Sequence, residues 1–182
     1  MKTNDFIFKR VVLTFFVILF VSFFSCSTEE DGENLSDEPT EITFQIDLVK
    51  MYATDIKDGE GGRLEIAGVI RARISSNTDV TQETETLLYE SANDPLHVTY
   101  DDVTLGSRGF FTVAPDYRDY SYFSMVGSMT EVDSSPSNPN EFMGDINVTI
   151  DLLTITETQE FILQFKESGG QHVEVVYTIT RL

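Results

Sequence analysis

Carboxylates at two turns are the residues in this sequence best suited to hold a metal ion. The first turn follows a strand-like segment, and the second surrounds the long loop 132–144. Their candidate ligands are Asp55, Asp58 and Glu60 at the first turn, and Asp133 and Asp145 at the second. Calcium takes about six to eight oxygen ligands, which carboxylates from neighbouring loops can supply. The carboxylates favour a calcium site, whereas the positive charge of Lys57 in the first turn argues against one. The pattern therefore predicts either a calcium site or ordinary solvated turns.

A tyrosine-rich segment offers a second kind of chemistry. Tyr117, Tyr120 and Tyr122 lie close together, and the last two share one face of a predicted strand. Phe123 lies on the opposite face, so the tyrosines are exposed if the Phe123 face packs in the core. Exposed aromatic rings beside polar groups stack on sugars, whereas buried rings only pack. The segment therefore predicts either a glycan-contacting face or ordinary packing.

Catalytic motifs are absent from the sequence. The chain has two histidines and one cysteine, and it contains no G-x-S-x-G, H-E-x-x-H, phosphate-binding glycine loop or nucleotide fingerprint. The remaining route to hydrolysis is a pair of carboxylates that lie far apart in sequence and close in space. We expect a protein that is not an enzyme, with such a hydrolase as the alternative.

Net charge limits the partners. The 182 residues include 12 basic and 31 acidic side chains, a formal net charge of −19. Binding to nucleic acid requires clustered Lys and Arg, so the composition argues against a nucleic-acid partner. A strongly acidic surface favours solubility, attraction of cations or a basic partner. The single cysteine excludes an intrachain disulfide.

Apolar and polar residues alternate with a period of two over most of 42–182, which is typical of half-buried strands. The segments that show this alternation or a strand-like composition are 42–48, 64–75, 109–114, 120–131, 146–152, 161–165 and 173–179. The apolar phase switches after Leu48, which indicates a β-bulge or a strand that changes sheets. Since no segment has a convincing helical period, the sequence predicts an all-β fold, a single antiparallel β-sandwich of about seven to nine strands. A barrel is the alternative.

Turn residues separate these strands. Glycines at 57–62 interrupt the first two strands, and the run 168–171 predicts the turn of a final hairpin. The segment 81–91 is compatible with one helical turn. The segment 156–166 has a helical composition but strand alternation, so we predict a strand there.

Residues 1–25 differ in composition from the rest of the chain. The run 11–24 reads VVLTFFVILFVSFF and follows Lys2, Lys9 and Arg10. A basic segment followed by an apolar run is typical of a secretory signal peptide. The run has fourteen residues, whereas a membrane-spanning helix needs about 20. We therefore predict a signal peptide over 1–25 rather than a spanning anchor.

The only cysteine, Cys26, directly follows this run. Phe23, Phe24, Ser25 and Cys26 resemble a bacterial lipoprotein signal, in which the cysteine is lipidated and becomes the mature N-terminus. Ser25 fits the small residue of that signal, while Phe23 and Phe24 stand where Leu and a small residue are common. Looser signals of this kind are familiar in Bacteroidota. The resemblance implies that Cys26 anchors the chain to a membrane through lipid.

A short acidic stretch after Cys26 carries a second resemblance. It resembles the export signal that sends Bacteroidota lipoproteins to the outer face of the outer membrane, and its residues are Ser27, Thr28, Glu29, Glu30 and Asp31. The stretch 27–41 contains seven acidic residues and no basic one. Such a composition favours a disordered tether over 26–41. The resemblance implies a location at the outer membrane, at the cell surface or facing the periplasm.

These features predict a surface lipoprotein with a non-enzymatic binding or accessory role, whose partner is an envelope protein or a glycan. The acidic loops of a sandwich also resemble those of C2 domains, in which loops at one end bind calcium. That resemblance implies a calcium-binding module as the alternative, with no cofactor expected otherwise. A glycan-contacting module is a further alternative.

Overall fold

The computed structural model describes residues 41–57, 62–75, 84–113, 122–133 and 139–182. These residues form strands and one short 3₁₀ turn, at Leu152–Thr154. The strands are β1 (Ile42–Asp55), β2 (Leu64–Ser75), β3 (Thr84–Val98), β4 (Val103–Val113), β5 (Tyr122–Glu131), β6 (Glu141–Asp151), β7 (Gln159–Lys166) and β8 (His172–Arg181).

Two four-stranded antiparallel sheets make up the fold. Sheet A has the order β4-β1-β8-β7, and sheet B has the order β3-β2-β5-β6. This arrangement confirms the predicted all-β sandwich and its number of strands. Because β1 and β2 belong to different sheets, the connection between them joins the two sheets and does not close a hairpin.

The core lies between the two sheets. Strand β2 shows why one face of a strand packs in the core. Its apolar residues at alternate positions are buried, while the residues between them are partly exposed. The largest fully buried side chains include Tyr177 and Phe44 from sheet A and Phe123 from sheet B. Burying an apolar side chain of this size contributes roughly 1.5–3 kcal/mol.

Strand β1 resolves the phase switch that the sequence shows after Leu48. Its pairing with both β4 and β8 shifts register between Leu48 and Lys50, while the strand stays in sheet A. Leu48 and Met51 are both fully buried on the two sides of the shift. The switch is therefore a β-bulge, which places one extra residue between two core positions.

Two sequence predictions need correction. Residues from Thr84 to Ser91 belong to β3, so the proposed helical turn in 81–91 is wrong for this part. Pairing with β2 and burial of Leu88 outweigh the local preference there. Strand β6 begins at Glu141, inside the predicted loop 132–144. The predicted strand in 156–166 and the turn at 168–171 are confirmed by β7 and its hairpin with β8.

One end of the sandwich carries several of the sequence candidates. Strands β1, β3, β5 and β7 end there, and the backbone N–H of Ala53 donates to the carbonyl of Thr99 at 2.8 Å, which joins the last residues of β1 to the residue after β3. We call this the Asp55 end.

Candidate functional site

The predicted metal ligands are only partly brought together. Asp55 is the last residue of β1, and Asp133 follows β5, so both lie at the Asp55 end. Asp145 is an exposed residue within β6 and pairs opposite Ser128. Asp58 and Glu60 lie outside the described residues.

Lys57 takes up space beside Asp55. Its Nζ lies 4.0 Å from Asp55 Oδ2 and donates a hydrogen bond to the carbonyl of Gly169 at 3.0 Å. Gly170 has a φ of +107°, and a Cβ there would overlap Lys57 Nζ. The positive φ favours glycine at this point, and a larger residue would also displace the end of the Lys57 side chain. The ammonium group connects the residues after β1 to the turn between β7 and β8.

The β7–β8 turn is fixed by its own hydrogen bonds. Glu167 accepts from the backbone N–H of Gly169 and from the hydroxyl of Ser168, and these bonds lower the pKa of Glu167. The backbone N–H of Gly170 donates to the carbonyl of Glu167 at 3.1 Å. The carboxylate of Glu167 therefore stabilises the β7–β8 turn through these hydrogen bonds.

Asp133 is the candidate ligand with an unsatisfied oxygen. Its backbone N–H donates to Asn140 Oδ1 at 3.3 Å, while its Oδ2 is buried without a hydrogen-bond partner in the described part of the chain. Among the described residues, no group of three or more His, Cys, Asp or Glu side chains is placed to hold a metal ion. The described residues alone thus do not fit calcium, and a site would depend on Asp58 and Glu60.

The tyrosine segment is described at one position. Tyr122 begins β5 with 48% of its surface exposed, whereas Phe123 is fully buried. The Phe123 face is therefore the core face, which leaves Tyr122 exposed. Tyr117 and Tyr120 lie outside the described residues, as do Cys26 and all five residues of the export-signal resemblance.

A polar network on the outer face of sheet A was not found from the sequence. Tyr52 donates to Glu174 Oε2 at 2.5 Å, and Gln164 Nε2 donates to Glu174 Oε1 at 2.9 Å. The hydrogen bond to Glu174 and partial burial raise the pKa of Tyr52 to about 12. Alternation shows that such residues point away from the core, but only strand order brings residues 52 and 174 together.

Two basic side chains border this network. Lys50 Nζ lies 2.7 Å from Asp102 Oδ2 and 5.4 Å from the centre of the Tyr52 ring. His172 Nε2 lies 3.8 Å from Glu174 Oε1, and burial lowers the pKa of His172, with Lys166 acting in the same direction. Burial therefore favours the neutral form of the histidine. Since Glu174 accepts hydrogen bonds from Tyr52 and Gln164, the arrangement links β1, β8 and β7 across the sheet.

Strand β3 lines a recess at the edge of sheet B. Ser91 pairs with Gly68 and Leu96 with Ile66, so residues 92–95 lie opposite a single residue of β2. The recess beside this bulge has a volume of about 600 Å³ and is lined by residues 89–94 and Leu96. Pockets for small molecules have volumes of about 300–1,000 Å³.

Comparisons with known proteins give structural similarities only. No protein-family model matches this sequence. No curated protein matches it either. Within the described residues, no helix is long and apolar enough to cross a membrane.

Three solved structures illustrate the similarity. CC2D1B, described as coordinating ESRCT-III activity during mitotic reformation of the nuclear envelope, is 11% identical with a TM-score of 0.47, over 78% of this chain and 55% of that one. A C2 domain of plant Extended Synaptotagmin 1 is 15% identical with a TM-score of 0.42, over 77% and 93%. A C2 domain protein from Ramazzottius varieornatus is 13% identical with a TM-score of 0.40, over 79% and 91%.

This chain therefore spans about half the length of the first of these structures. Similarity at such identities and TM-scores is too distant to transfer a ligand or an activity. The sandwich itself is established by the strand order and pairing of this chain.

Proposed function

We propose that this protein is a lipoprotein anchored to the outer membrane at the cell surface, where its sandwich has a non-enzymatic binding or accessory role. The observation that carries the proposal is the position of Cys26 directly after the apolar run 11–24 and before an acidic stretch. The described sandwich begins with β1 at Ile42, and in this proposal the acidic residues between it and the cysteine form the tether.

The acidic character of the chain supports exposure to solvent around the sandwich. Formal net charge is −19, and several basic side chains of the described part pair with carboxylates, such as Arg108 with Asp47 and Arg73 with Glu85. Such a surface repels anionic lipid headgroups and lies away from the bilayer. The lipid on Cys26 then supplies the membrane attachment, and the partner is an envelope protein or a glycan.

Metabolic labelling tests the anchor. Cells that express the full chain are grown with an alkyne-tagged fatty acid, and the purified protein is examined for the label. We expect the native chain to carry it and the Cys26→Ser variant to lack it. Label that persists in Cys26→Ser would overturn the lipidation of this residue.

Protease treatment of intact cells tests surface exposure. The native chain should be digested while a periplasmic marker stays intact. Replacing Glu29, Glu30 and Asp31 with Ala should protect the chain by retaining it inside. The matched control replaces Asp37, Glu38 and Glu41 with Ala, which removes the same charge from the same tether. Equal protection by both triple variants would contradict a specific export signal.

The second candidate function is that of a calcium-dependent module. The observation in its favour is that Asp133 Oδ2 is buried and has no hydrogen-bond partner among the described residues, at the end that also carries Asp55. Thermal unfolding of the full chain in detergent, with excess calcium and with chelator, tests it. Ion at about 100 times its dissociation constant would add about 2.7 kcal/mol, and the Asp58→Asn variant should lose that shift. An unchanged midpoint in calcium would eliminate this candidate.

A further inference from the structure

Strand β7 forms one edge of sheet A, and within the described residues no strand pairs with its outer side. All eight residues of β7 pair with β8 in an unbroken register. In an edge strand, every second residue directs its backbone N–H and C=O away from the sheet. The outer side of β7 therefore presents a straight row of donors and acceptors to which another strand can pair.

The other edge strands of the described part are less regular. Strands β3, β4 and β6 are each joined to the neighbouring strand with at least one register shift. Strand β3 also contains Pro95, and β6 contains Gly144 with a φ of +112°. Bulges and prolines hinder an edge from pairing with another chain. Among the described edges, β7 is thus the one best suited to accept a further strand.

The charged residues of β7 lie towards its two ends. Glu160 is the second residue of the strand and Lys166 is the last, and the residues between them, FILQF, are uncharged. Both charged side chains are exposed. Each residue of a strand adds about 3.3 Å, so the two charges lie about 20 Å apart and cannot pair within one strand. Within the described residues, neither side chain forms an ion pair.

Antiparallel pairing of two β7 strands brings these charges together. With Leu163 of one copy opposite Leu163 of the other, Glu160 faces Lys166 at both ends of the pair, because the arrangement has two-fold symmetry. The same register sets the exposed Ile162 opposite Gln164. Opposite charges directly across two strands stabilise the pair, and like charges destabilise it. A shift by two residues loses both charge pairs, and parallel pairing in register places Glu160 against Glu160. The charges therefore favour one orientation and one register.

We propose that the β7 edge binds a second copy of this chain. Two sandwiches join through antiparallel β7–β7 pairing, and the two four-stranded sheets A become one continuous sheet. Backbone hydrogen bonds provide the attraction, and the two Glu160–Lys166 pairs select the partner and the register. The formal net charge of −19 makes copies repel each other elsewhere, and Lys166 supplies a positive charge where they meet. The proposal does not depend on the lipid anchor.

Disulfide trapping of the full chain in detergent tests the pairing. One pair of edge strands is small beside the about 1,200–2,000 Å² of a stable interface, so we expect a weak dimer that covalent trapping detects. Cys26 is replaced by Ser in every sample, so that only introduced thiols react. Two differently tagged variants, Ile162→Cys and Gln164→Cys, are mixed and oxidised.

The expected product is the mixed disulfide dimer. Opposite residues of antiparallel strands have Cα atoms about 4.5–5.5 Å apart, which suits a disulfide. In a sample of Ile162→Cys alone, the two thiols occupy diagonal positions about 7–8 Å apart, which is too far for an unstrained bond. The mixture should therefore form its dimer about ten-fold faster than either variant alone. Faster dimer formation by either variant alone would contradict the proposed register.

The opposite edge of sheet A supplies the control. Phe110→Cys and Thr112→Cys occupy exposed positions on β4, and their mixture measures chance encounters, including those of chains that share a micelle. Equal rates in the β4 and β7 mixtures would refute the proposal. Cross-linking of Ile162→Cys in intact cells to a different protein, with none between copies, would also refute it and would assign the edge to that protein.

Charge reversal in these cysteine variants tests the selection of the register. Glu160→Lys places like charges at both ends of the pair, and formation of the mixed dimer should slow about five-fold or more. Adding Lys166→Glu restores opposite charges and should recover the original rate. Asp101→Lys, at an exposed position between β3 and β4, changes the net charge by the same amount and should have no effect. Circular dichroism shows whether each variant is folded. Equal slowing by Asp101→Lys, or no recovery in the double variant, would exclude pairing selected by these charges.

Discussion

Strands β3 and β7 are both edge strands, one in each sheet, and they differ in regularity. All eight residues of β7 pair with β8 without a register shift. The fifteen residues of β3 shift register twice against β2. A regular edge exposes backbone groups to which other chains can pair, and bulges and charges prevent this. The irregularity of β3 thus protects the edge and also creates a concave surface, whereas β7 has only side chains such as Glu160 and Lys166 for protection.

The two edges also differ in how they approach the opposite sheet. Phe165 of β7 packs over Gly127 of β5, where a Cβ would lie 3.0 Å from the ring. Thr86 and Leu88 of β3 pack over Gly109 of β4, where a Cβ would lie 2.9 Å from Thr86 Cγ2. Phe165 is fully buried, while Thr86 is partly exposed. Leu88 is buried as well, so the difference is that the regular edge places the larger, aromatic side chain in the core.

The largest expected effect comes from removing these core contacts. Phe165→Ala should lower the free energy of unfolding by about 3–5 kcal/mol, because it leaves a cavity between β7 and Gly127. Leu88→Ala removes a smaller side chain from the irregular edge, for which about 2–3 kcal/mol is expected. Urea unfolding of the two variants measures the difference. A greater loss in Leu88→Ala would reverse the ranking of the two edges.

Overpacking at the glycines should give an intermediate effect. Gly127→Ala drives a methyl group towards the Phe165 ring and the carbonyl of Val69, and we expect a loss of about 1–3 kcal/mol. Gly109→Ala meets only side-chain atoms of Thr86 and Leu88, whereas Gly127→Ala also meets the backbone carbonyl of Val69, so the loss at Gly109 should be smaller. Urea midpoints of the two variants check this order. Combining Gly127→Ala with Phe165→Leu should restore part of the loss if the clash is the cause.

A pH-dependent contribution is expected between β1 and β8, the central strands of sheet A. The hydrogen bond to Glu174 raises the pKa of Tyr52 to about 12, whereas a tyrosine in an unfolded chain has a pKa near 10. Since the folded state holds this proton more tightly, the stabilisation is complete below about pH 10 and is lost as the pH rises through about 12. Unfolding in denaturant from about pH 9 upward measures this loss.

Two variants isolate the Tyr52 contribution. In Tyr52→Phe, the fall in stability at alkaline pH should be smaller than in the native chain. Part of the fall should remain, because burial also raises the pKa of Tyr177. Glu174→Gln should lower the pKa of Tyr52 in an absorbance titration of the tyrosines. An alkaline decrease that is identical in Tyr52→Phe and the native chain would refute the role of this hydrogen bond.

The smallest effect is expected on the outer face of β3. Glu85 lies 2.8 Å from Arg73 and 3.1 Å from Arg71, and exposed ion pairs contribute up to about 1 kcal/mol. Glu85→Gln should therefore lower stability by less than about 1 kcal/mol, and high salt should abolish the difference. Glu90→Gln on the same strand, which removes a charge without an ion pair, is the matched control. The same loss in both variants would mean that the ion pairs contribute nothing.

Local alternation explains what could be predicted of the fold. In β2 the alternation assigns Leu64, Ile66, Gly68, Ile70, Ala72 and Ile74 to the core face, and all of them are buried except Gly68, which is partly exposed. Successive side chains of a strand point to opposite faces whatever its neighbours are, so this assignment needs no tertiary information. In β3 the same argument fails, because residues 92–95 interrupt the alternation where the strand bulges.

For the candidate sites, too, the sequence identifies some residues, while other contacts are revealed only by the tertiary structure. Residue type and order alone select Cys26, the acidic stretch that follows it and the carboxylates at the turns, and these assignments stay predictions until the experiments above are done. Lys57 could be identified as a cation near Asp55 from its position two residues later. Its bond to Gly169 could not be predicted, because the two residues meet only when β1 and β8 lie side by side in sheet A.

The sequence by itself determined an all-β chain, the core faces of its clearest strands, its acidic surface and the candidate lipid anchor, since all of these depend on residue type and a short period. Tertiary structure alone decided the strand order, the pairing of Tyr52 with Glu174 and the recess beside the β3 bulge. These features require contacts between residues far apart in sequence or a register set by a neighbouring strand, and the alternation of one strand contains no information about the identity of its neighbour.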